Sequence, residues 1–378
     1  MENHRLNIAF VLPGTGSSGG VRCTVIAANH LLSRGHRVRI LYRRASSQLL
    51  PTLRQCYQAV IHPQQANWLQ DFTGPTTSFA ELTPELFAPG ELVVGVGMWA
   101  AGAIAKVDPQ HNPRLQYLHG LTPWMSELMQ QALPLAIPKI AVSSTVAAGA
   151  QAYGGGAVLA VIGNGIDCSE YYACQPEVER NGIGTIFAAH PAKDPATILA
   201  TLQQLKLSLP FIPQYVFGSG RRPPQLTRRQ YWRLPTIKQA RNLYSRAMIW
   251  ILGSRSEGFP APPLEAMACG CAVITTDCGG VSDYMINGKN GFVVPVGDVE
   301  AIVANVKLLV RDSDLRRQIV DEGRKTVNNL NWKATIDKLE AVLNEVVAQH
   351  CHGMAAARLN QQTVAGNGDP ASNDLKGW

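Results

Sequence analysis

The chain contains no C-x-x-C pair and no apolar run long enough to cross a bilayer, and residues 195–256 contain no aspartate or glutamate. Each absence excludes something. A spanning helix needs about 20 consecutive apolar residues, and no window approaches that length. The opening MENHRLNIAFVLPG has no basic segment followed by a long apolar one, so it does not read as a secretory signal. The eight cysteines are scattered. Cys269 and Cys271 stand too close for a metal pair of usual spacing, and the pattern is that of reduced packing thiols in a cytoplasmic protein. His350-Cys351-His352 imitates a metal cluster, but it opens a polar stretch, where a chance juxtaposition is the better reading. Charged residues make up 16% of the 378 and hydrophobic residues 46%, which excludes a disordered or acidic-tail protein.

The charge that is present is one-sided. The formal net charge is +7. Residues 195–256 carry ten lysines and arginines, and residues 1–54 carry eight against the single acid Glu2. One reading is a positive field around an anion site; the other is chance combined with a buried sheet. The candidate anions are a nucleic acid, an anionic membrane surface and a phosphate-bearing small molecule.

The length favours two domains. Asn7–Leu12 reads as a strand that stops at Pro13, and Val21–Arg34 as a helix ended by Gly35. Arg37–Tyr42 is the next strand, which gives a strand–loop–helix–strand unit of the parallel-sheet kind. Further strands are expected at 92–96, 115–118, 139–142 and 158–162. The segment 121–137 reads as a short helix lining a cleft, with Trp124 and Met125 as ligand contacts or as core. A boundary falls near 164–182, and strands and helices alternate again from Gly184–Ala189 to a helix over 313–327. A last amphipathic helix starts at Asn331 as N-cap and runs to about 349. Residues 353–378 are small and polar, have no period and are expected to be disordered. Asp312-x-Asp314 opens a surface helix and reads as a cap.

Gly14-x-Gly16-x-x-Gly19 follows a strand and opens a helix, as a dinucleotide fingerprint does. The acid expected at the end of the second strand is replaced by Arg43-Arg44, which would suit a 2′-phosphate. An NADP-dependent oxidoreductase is therefore one reading. The others are a plain turn, or backbone amides at Gly19-Gly20 offered to some other phosphate or to a sugar.

The segment 253–297 is more specific. Glu257 and Glu265 are separated by seven residues, the first in a loop after a strand, the second in the first turns of a helix entered through Pro262-Pro263. Both would then face one crevice at strand carboxyl ends, where open α/β sheets bind ligands. Carboxylates there accept hydrogen bonds from sugar and ribose hydroxyls, and a helix N-terminus favours a diphosphate. Glu265 also has a plain reading as a complement to the helix dipole.

With the following Ala-Met-Ala-Cys-Gly, this spacing resembles the Glu-x7-Glu signature of retaining GT-B glycosyltransferases of the large family four. Gly19-Gly20-Val21, Arg34-Gly35-His36-Arg37-Val38, Gln116-Tyr117-Leu118-His119-Gly120, Asn164-Gly165-Ile166-Asp167, Tyr244-Ser245-Arg246-Ala247 and Asn290-Gly291-Phe292 extend the likeness over most of the chain. The resemblance implies two Rossmann-like domains facing a central cleft: an acceptor-binding domain, 1–165 with the crossing helix 331–349, and a nucleotide-sugar-binding domain, 180–330. It implies a hexosyltransferase that uses a UDP- or GDP-sugar, needs no metal or cofactor and retains the anomeric configuration. Glu265 would hold the ribose hydroxyls of the donor, Glu257 the sugar hydroxyls, Lys193 the diphosphate, and His119 the sugar near the reacting carbon, with Leu264 as a further donor-binding residue. Backbone amides at Gly258-Phe259 and Gly19-Gly20 would assist.

The departures are equally specific. The arginine that family members place five or six residues before the phosphate lysine is replaced by Phe187 and Ala188. Arg221, Arg222 and Arg255 are the candidate substitutes. Pro260 removes one backbone donor, and Pro235 stands where a glycine is usual. A non-catalytic sugar-nucleotide-binding partner is therefore a second reading. His119 also reads as a satisfied core histidine and Lys193 as solvent-facing. Glycan, lipid and small metabolite all remain open as acceptor. Nucleic acid is not expected, and the basic N-terminal segment is compatible with peripheral contact at the inner face of a membrane.

Overall fold

The computed structural model describes residues 5–15, 18–44, 67–121 and 126–366, the last thirteen by backbone alone. Gly16, Trp124 and Met125 lie outside the described residues. Two parallel sheets follow one another along the chain. The first holds β1 (Asn7–Leu12), β2 (Arg37–Arg43), β3 (Thr76–Phe79), β4 (Leu92–Val96), β5 (Arg114–Leu118), β6 (Lys139–Ala141) and β7 (Val158–Val161), in the order β3-β2-β1-β4-β5-β6-β7. The second holds β8 (Gly182–Ile186), β9 (Gln214–Gly218), β10 (Tyr231–Arg233), β11 (Ala247–Leu252), β12 (Ala272–Thr276) and β13 (Phe292–Val294), in the order β10-β9-β8-β11-β12-β13. The order reverses between β1 and β4 in one sheet and between β8 and β11 in the other. Such reversals open a crevice at the strand carboxyl ends, because successive crossovers leave on opposite faces.

The central strands are apolar throughout, as strands covered on both faces must be. In β1 and β4, Ile8–Leu12 and Leu92–Val96 are buried. Two short strands give almost no sequence signal. β3 and β10 are edge strands of four and three residues, and β3 exposes its first two. Two further helices, α2 (Gly97–Ile104) and α4 (Ser144–Ala152), are built largely of small or apolar residues and carry no polar stripe that would mark a helical period. The segment between them contains α3 (Ser126–Ala132).

The strand expected at Gly184–Ala189 is displaced to Gly182–Ile186. A side chain at Gly182 would stand 2.1 Å from the Tyr215 ring, and one at Gly184 would stand 2.0 Å from the Trp250 ring. Large aromatic side chains of the neighbouring strands thus occupy the space that two glycines leave, and this sets the start of β8 earlier than the apolar run suggests.

α1 (Gly19–Ser33) starts from Ser18, whose hydroxyl accepts from Val21 N at 3.3 Å. In the second unit, α5 (Pro195–Ser208), α6 (Ile237–Arg246), α7 (Ala261–Ala268), α8 (Val299–Arg311) and α9 (Ser313–Asn329) connect or cover the strands. Asp312 caps α9 by accepting from Leu315 N at 2.8 Å. The last helix, α10 (Trp332–Gly366), is longer than the expected 331–349. Of the stretch 353–378, the backbone to Gly366 continues this helix, and 367–378 lies outside the described residues. α10 returns to the first unit. Asn331 bridges Ile166, Thr335 Oγ1 donates to Gly163 O at 3.0 Å, and Glu340 accepts from Arg34 at 2.5 Å and pairs with His36 Nε2 at 2.9 Å. His36 Nδ1 accepts from Leu6 N at 3.2 Å, so the ring proton sits on Nε2 and donates to Glu340.

Candidate functional site

A cleft of about 950 Å3 separates the carboxyl ends of the two sheets, and residues of both line it. Gly19, Gly20, His119, Lys193, Glu257, Gly258, Phe259 and Glu265 are all on its surface. The chain brings them together from three loops and the first turns of two helices, spread over some 250 residues of sequence.

Lys193 and Glu257 meet because β8 and β11 are neighbours at the point where strand order reverses. After β8 a short turn, Pro191–Lys193, ends at Asp194, whose φ of +41° is left-handed. Asp194 also caps α5, accepting from Thr197 N at 3.3 Å. After β11, Arg255 N and Ser256 N donate to Ala192 O at 2.7 and 3.2 Å, which ties the two loops together. Lys193 Nζ then reaches Glu257 Oε1 at 2.5 Å, and Ser254 Oγ donates to the same oxygen at 2.7 Å. Lys193 is therefore paired rather than directed to solvent. The Glu257 backbone is pinned from the far side, where its N–H donates to Cys278 O at 2.7 Å.

Glu265 is held differently. It lies on α7 with its side chain 8% exposed. Tyr244 OH donates to Oε2 at 2.8 Å, and Arg22 Nη1 donates to Oε1 at 3.1 Å from α1 of the opposite unit. Arg22 in turn lies 5.1 Å from the centre of the Trp68 ring and 5.9 Å from that of Tyr171. Burial works against its charge, but Glu265 and Tyr171 outweigh burial, and its pKa is raised.

His119 follows β5 directly. Its Nε2 is closed off from solvent and has no hydrogen-bond partner. Burial holds the imidazole at about 4, well below its ordinary 6.5, so the ring is neutral at pH 7. A buried polar atom without a partner is uncommon, and this one lies behind a residue that lines the cleft. Glycines let the walls approach: a Cβ on Gly20 would stand 3.2 Å from His119 Cβ, and one on Gly258 would stand 2.0 Å from His119 O. Gly258 is thus the place where the two units touch backbone to backbone.

Four expected contacts are not on the cleft surface. Leu264 is 1% exposed and belongs to the core, because one step along a helix turns a side chain by about 100° away from its neighbour Glu265. Arg222 folds back onto the carbonyls of Pro223 and Leu226. Arg255 pairs with Asp194 Oδ2 at 2.7 Å. Arg221 is exposed on the loop after β9 and does not line the cleft. The helix that carries Glu265 begins at Ala261, not at the proline pair, with Pro260 as N-cap. Prolines at 260, 262 and 263 have no N–H, which leaves Ala261 as the one backbone donor among these four positions.

The fingerprint arginines are used elsewhere. Arg43 stacks over Trp99 at 5.0 Å and lines a separate cavity of about 500 Å3 that shares no residue with the cleft. Arg44 donates to Ser78 Oγ at 3.1 Å. The cleft lining includes Arg22, Trp68, Tyr171 and Lys238, none of which the sequence marks as functional. Arg22 lies 243 positions from its partner, and no local pattern links the two. The one usable signal is its place next to Gly19-Gly20 at the start of a helix facing the cleft. Among the described residues, no group of three or more His, Cys, Asp or Glu gathers as metal ligands would.

Residues 231–326 match the model of glycosyl transferases group 1. This segment is a glycosyl transferases group 1 domain. It includes both glutamates of the cleft, α6 and α7. The group 1 domain also carries the likeness to curated proteins. The capsular polysaccharide biosynthesis glycosyltransferase CapM of Staphylococcus aureus is 35% identical over 104 residues, which is 27% of this chain and 27% of CapM. The chain thus spans about a quarter of that relative's length in the matched region. Among solved structures, HepE of Anabaena in complex with UDP superposes with a TM-score of 0.71 at 17% identity, over 90% of this chain and all of HepE. Sucrose-phosphate synthase of Thermosynechococcus elongatus gives a TM-score of 0.68 at 17% identity, over 91% of this chain and all of that one. These likenesses extend the fold beyond the group 1 domain: the whole described chain has the two-sheet GT-B fold. Among the described residues, no helix is long and apolar enough to cross a membrane.

Proposed function

We propose that the chain is a glycosyltransferase that moves a sugar from a UDP- or GDP-sugar to an acceptor hydroxyl with retention at the anomeric carbon. The observation that carries this reading is the cleft between the two sheets, where Glu257 and Glu265 each stand beside a cation and His119 forms part of the wall. The group 1 match over the same wall, and a fold neighbour solved with UDP, support it.

In this reading the first unit binds the acceptor and the second binds the donor. Glu265 accepts from the ribose hydroxyls and Glu257 from hydroxyls of the transferred sugar. Lys193 and Lys238 meet the diphosphate, with the Ala261 amide and the backbone at Gly258-Phe259 and Gly19-Gly20 as further donors. The bond from the anomeric carbon to phosphate breaks while the bond to the acceptor oxygen forms on the same face. The acceptor proton passes to the departing phosphate oxygen. No side chain needs to attack, so catalysis lies in positioning and in stabilising charge on the leaving group. A neutral His119 contributes by hydrogen bonding near the reacting carbon, without competing for the diphosphate as a cation would.

The test is a panel of UDP- and GDP-sugars with detection of released nucleoside diphosphate, together with mass spectrometry of products from a lysate supplied with the same donors. Release with at least one donor, lost in Glu265→Ala, is expected. The reading fails if no donor binds or turns over and Glu265→Ala leaves nucleotide-sugar binding unchanged. The prolines at 260, 262 and 263 and the apolar Phe187 and Ala188 favour one second reading, a non-catalytic sugar-nucleotide-binding partner. That protein would bind a donor and release no diphosphate with any acceptor.

A further inference from the structure

The C-terminal wall of the cleft is poor in positive charge where a nucleotide diphosphate would lie. Phe187 and Ala188 are apolar, the prolines strip the α7 end of N–H groups, and the wall's cations among the described residues are Lys193, whose charge is shared with Glu257, and Lys238. The guanidinium nearest the ribose-facing carboxylate comes instead from the other unit. Arg22 Nη1 donates to Glu265 Oε1 at 3.1 Å, and its Nη2 lies 3.4 Å from Tyr171 OH and 3.6 Å from Glu170. The rings of Trp68 and Tyr171 hold its plane.

Glu265 is faced by Arg22 and Cys23 of α1, by Glu170 and Tyr171 of the segment between the sheets, by Tyr244 of α6 and by Cys269 at the end of α7. Burial pushes both tyrosines and both thiols up, Cys23 to about 12, so all four are neutral at pH 7. Glu170 is a like charge. Arg22 is therefore the one cation in this set, and it belongs to the opposite domain. A buried carboxylate without a cation favours its neutral form, and a protonated carboxyl is a poorer acceptor for two hydroxyls.

We propose that Arg22 is a positioning residue for the donor: it keeps the Glu265 carboxylate ionised and aimed, and it makes a complete ribose site depend on the two domains standing together. The proposal rests on the reading of the cleft as a nucleotide-sugar site. It differs from a merely structural bridge in one measurable respect. Removing the guanidinium should make nucleotide binding depend on pH, because protonation of Glu265 then competes with the ligand. The sign is fixed: low pH fills the carboxylate with a proton and weakens binding, and high pH restores it.

The experiment titrates the full chain calorimetrically with UDP and with GDP, for wild type, Arg22→Gln and Arg22→Lys, from about pH 5.5 to pH 8.5, with a thermal melt for each. The wild type is expected to bind one nucleotide with little change over this range. Arg22→Gln should bind it about tenfold or more weakly at the acid end and recover most of the loss at the alkaline end. Arg22→Lys, which keeps the charge, should lie near wild type and remain flat, and it carries the test if Arg22→Gln does not fold. Equal binding by wild type and both variants overturns the proposal. So does a loss by the same factor at every pH, which would assign Arg22 to packing alone. A wild type that binds neither nucleotide at any pH overturns the reading of the cleft itself, and with it this proposal.

Discussion

Glu257 and Glu265 stand seven residues apart in one segment, yet they are held in opposite ways. Glu257 belongs to a loop, and its cation, Lys193, comes from the turn that follows the adjacent strand of the same sheet. Glu265 belongs to a helix, and its cation comes from the facing domain. The first pair is assembled once the second sheet forms. The second exists only when both domains have folded and closed on each other. Lys193 is 35% exposed and keeps solvent to screen it, whereas Arg22 is 21% exposed and lies against two aromatic rings, so removing either glutamate has unequal consequences. A broken buried pair leaves an uncompensated charge, and a broken half-exposed pair leaves a solvated one.

The sharpest way to break this comparison is truncation of each glutamate. Glu265→Ala should weaken nucleotide-sugar binding by on the order of a hundredfold and lower stability by about 3 kcal/mol, since its loss strands Arg22. Glu257→Ala should cost about 1 kcal/mol of stability while reducing turnover more than nucleotide binding, because its hydroxyl partners belong to the transferred sugar. Equal effects of the two on binding and melting would erase the distinction. Next in size is Gly258→Ala, whose methyl would press on His119 O across the domain contact. Turnover should fall about tenfold to a hundredfold with UDP affinity less affected, read by kinetics beside calorimetry.

A smaller effect separates the neutral histidine from the two charged pairs. Burial depresses His119 from 6.5 to about 4, so the folded chain binds fewer protons than the unfolded one between those values. The stability it would otherwise keep is intact above pH 6.5 and is lost as pH falls towards 4. Denaturant melts of His119→Asn against wild type should converge in this window relative to their difference at pH 7.5. The smallest effect belongs to Arg255, whose own side chain is half-exposed and whose buried partner Asp194 keeps its bond from Thr197 N. Arg255→Ala should change stability by less than about 1 kcal/mol and leave nucleotide binding within twofold, although Arg255 lies two residues from Glu257.

Most of the architecture was legible because burial leaves a local trace. Apolar runs such as Asn7–Leu12 and Ala247–Leu252, separated by helical periods, read directly as buried parallel strands. The trace disappears where burial is partial or complete on all sides. β3 and β10 are edge strands, and α2 has no polar face to mark its period. The candidate site divides along the same line. Glu257 and Glu265 were placed on the crevice by position, after a strand and at a helix start, whereas His119 and Lys193 entered only through the family resemblance. Arg222 and Arg255 were not predictable, because nearby carbonyls of its own loop hold the Arg222 guanidinium, and a carboxylate 61 positions away holds that of Arg255.

By itself, the sequence determined that two parallel sheets would form and that a loop glutamate and a helix glutamate would stand at a strand carboxyl end. Those outcomes depend on side-chain periodicity and on residues within one turn or one loop of each other. Only the tertiary structure decided which cation meets which carboxylate. Arg22 reaches Glu265 across 243 positions because two independently built sheets oppose their carboxyl ends and the glycine at 258 lets them approach. The force that selects this partner is electrostatic and acts through a shared, low-dielectric cleft, so it has no counterpart in any local pattern of the chain.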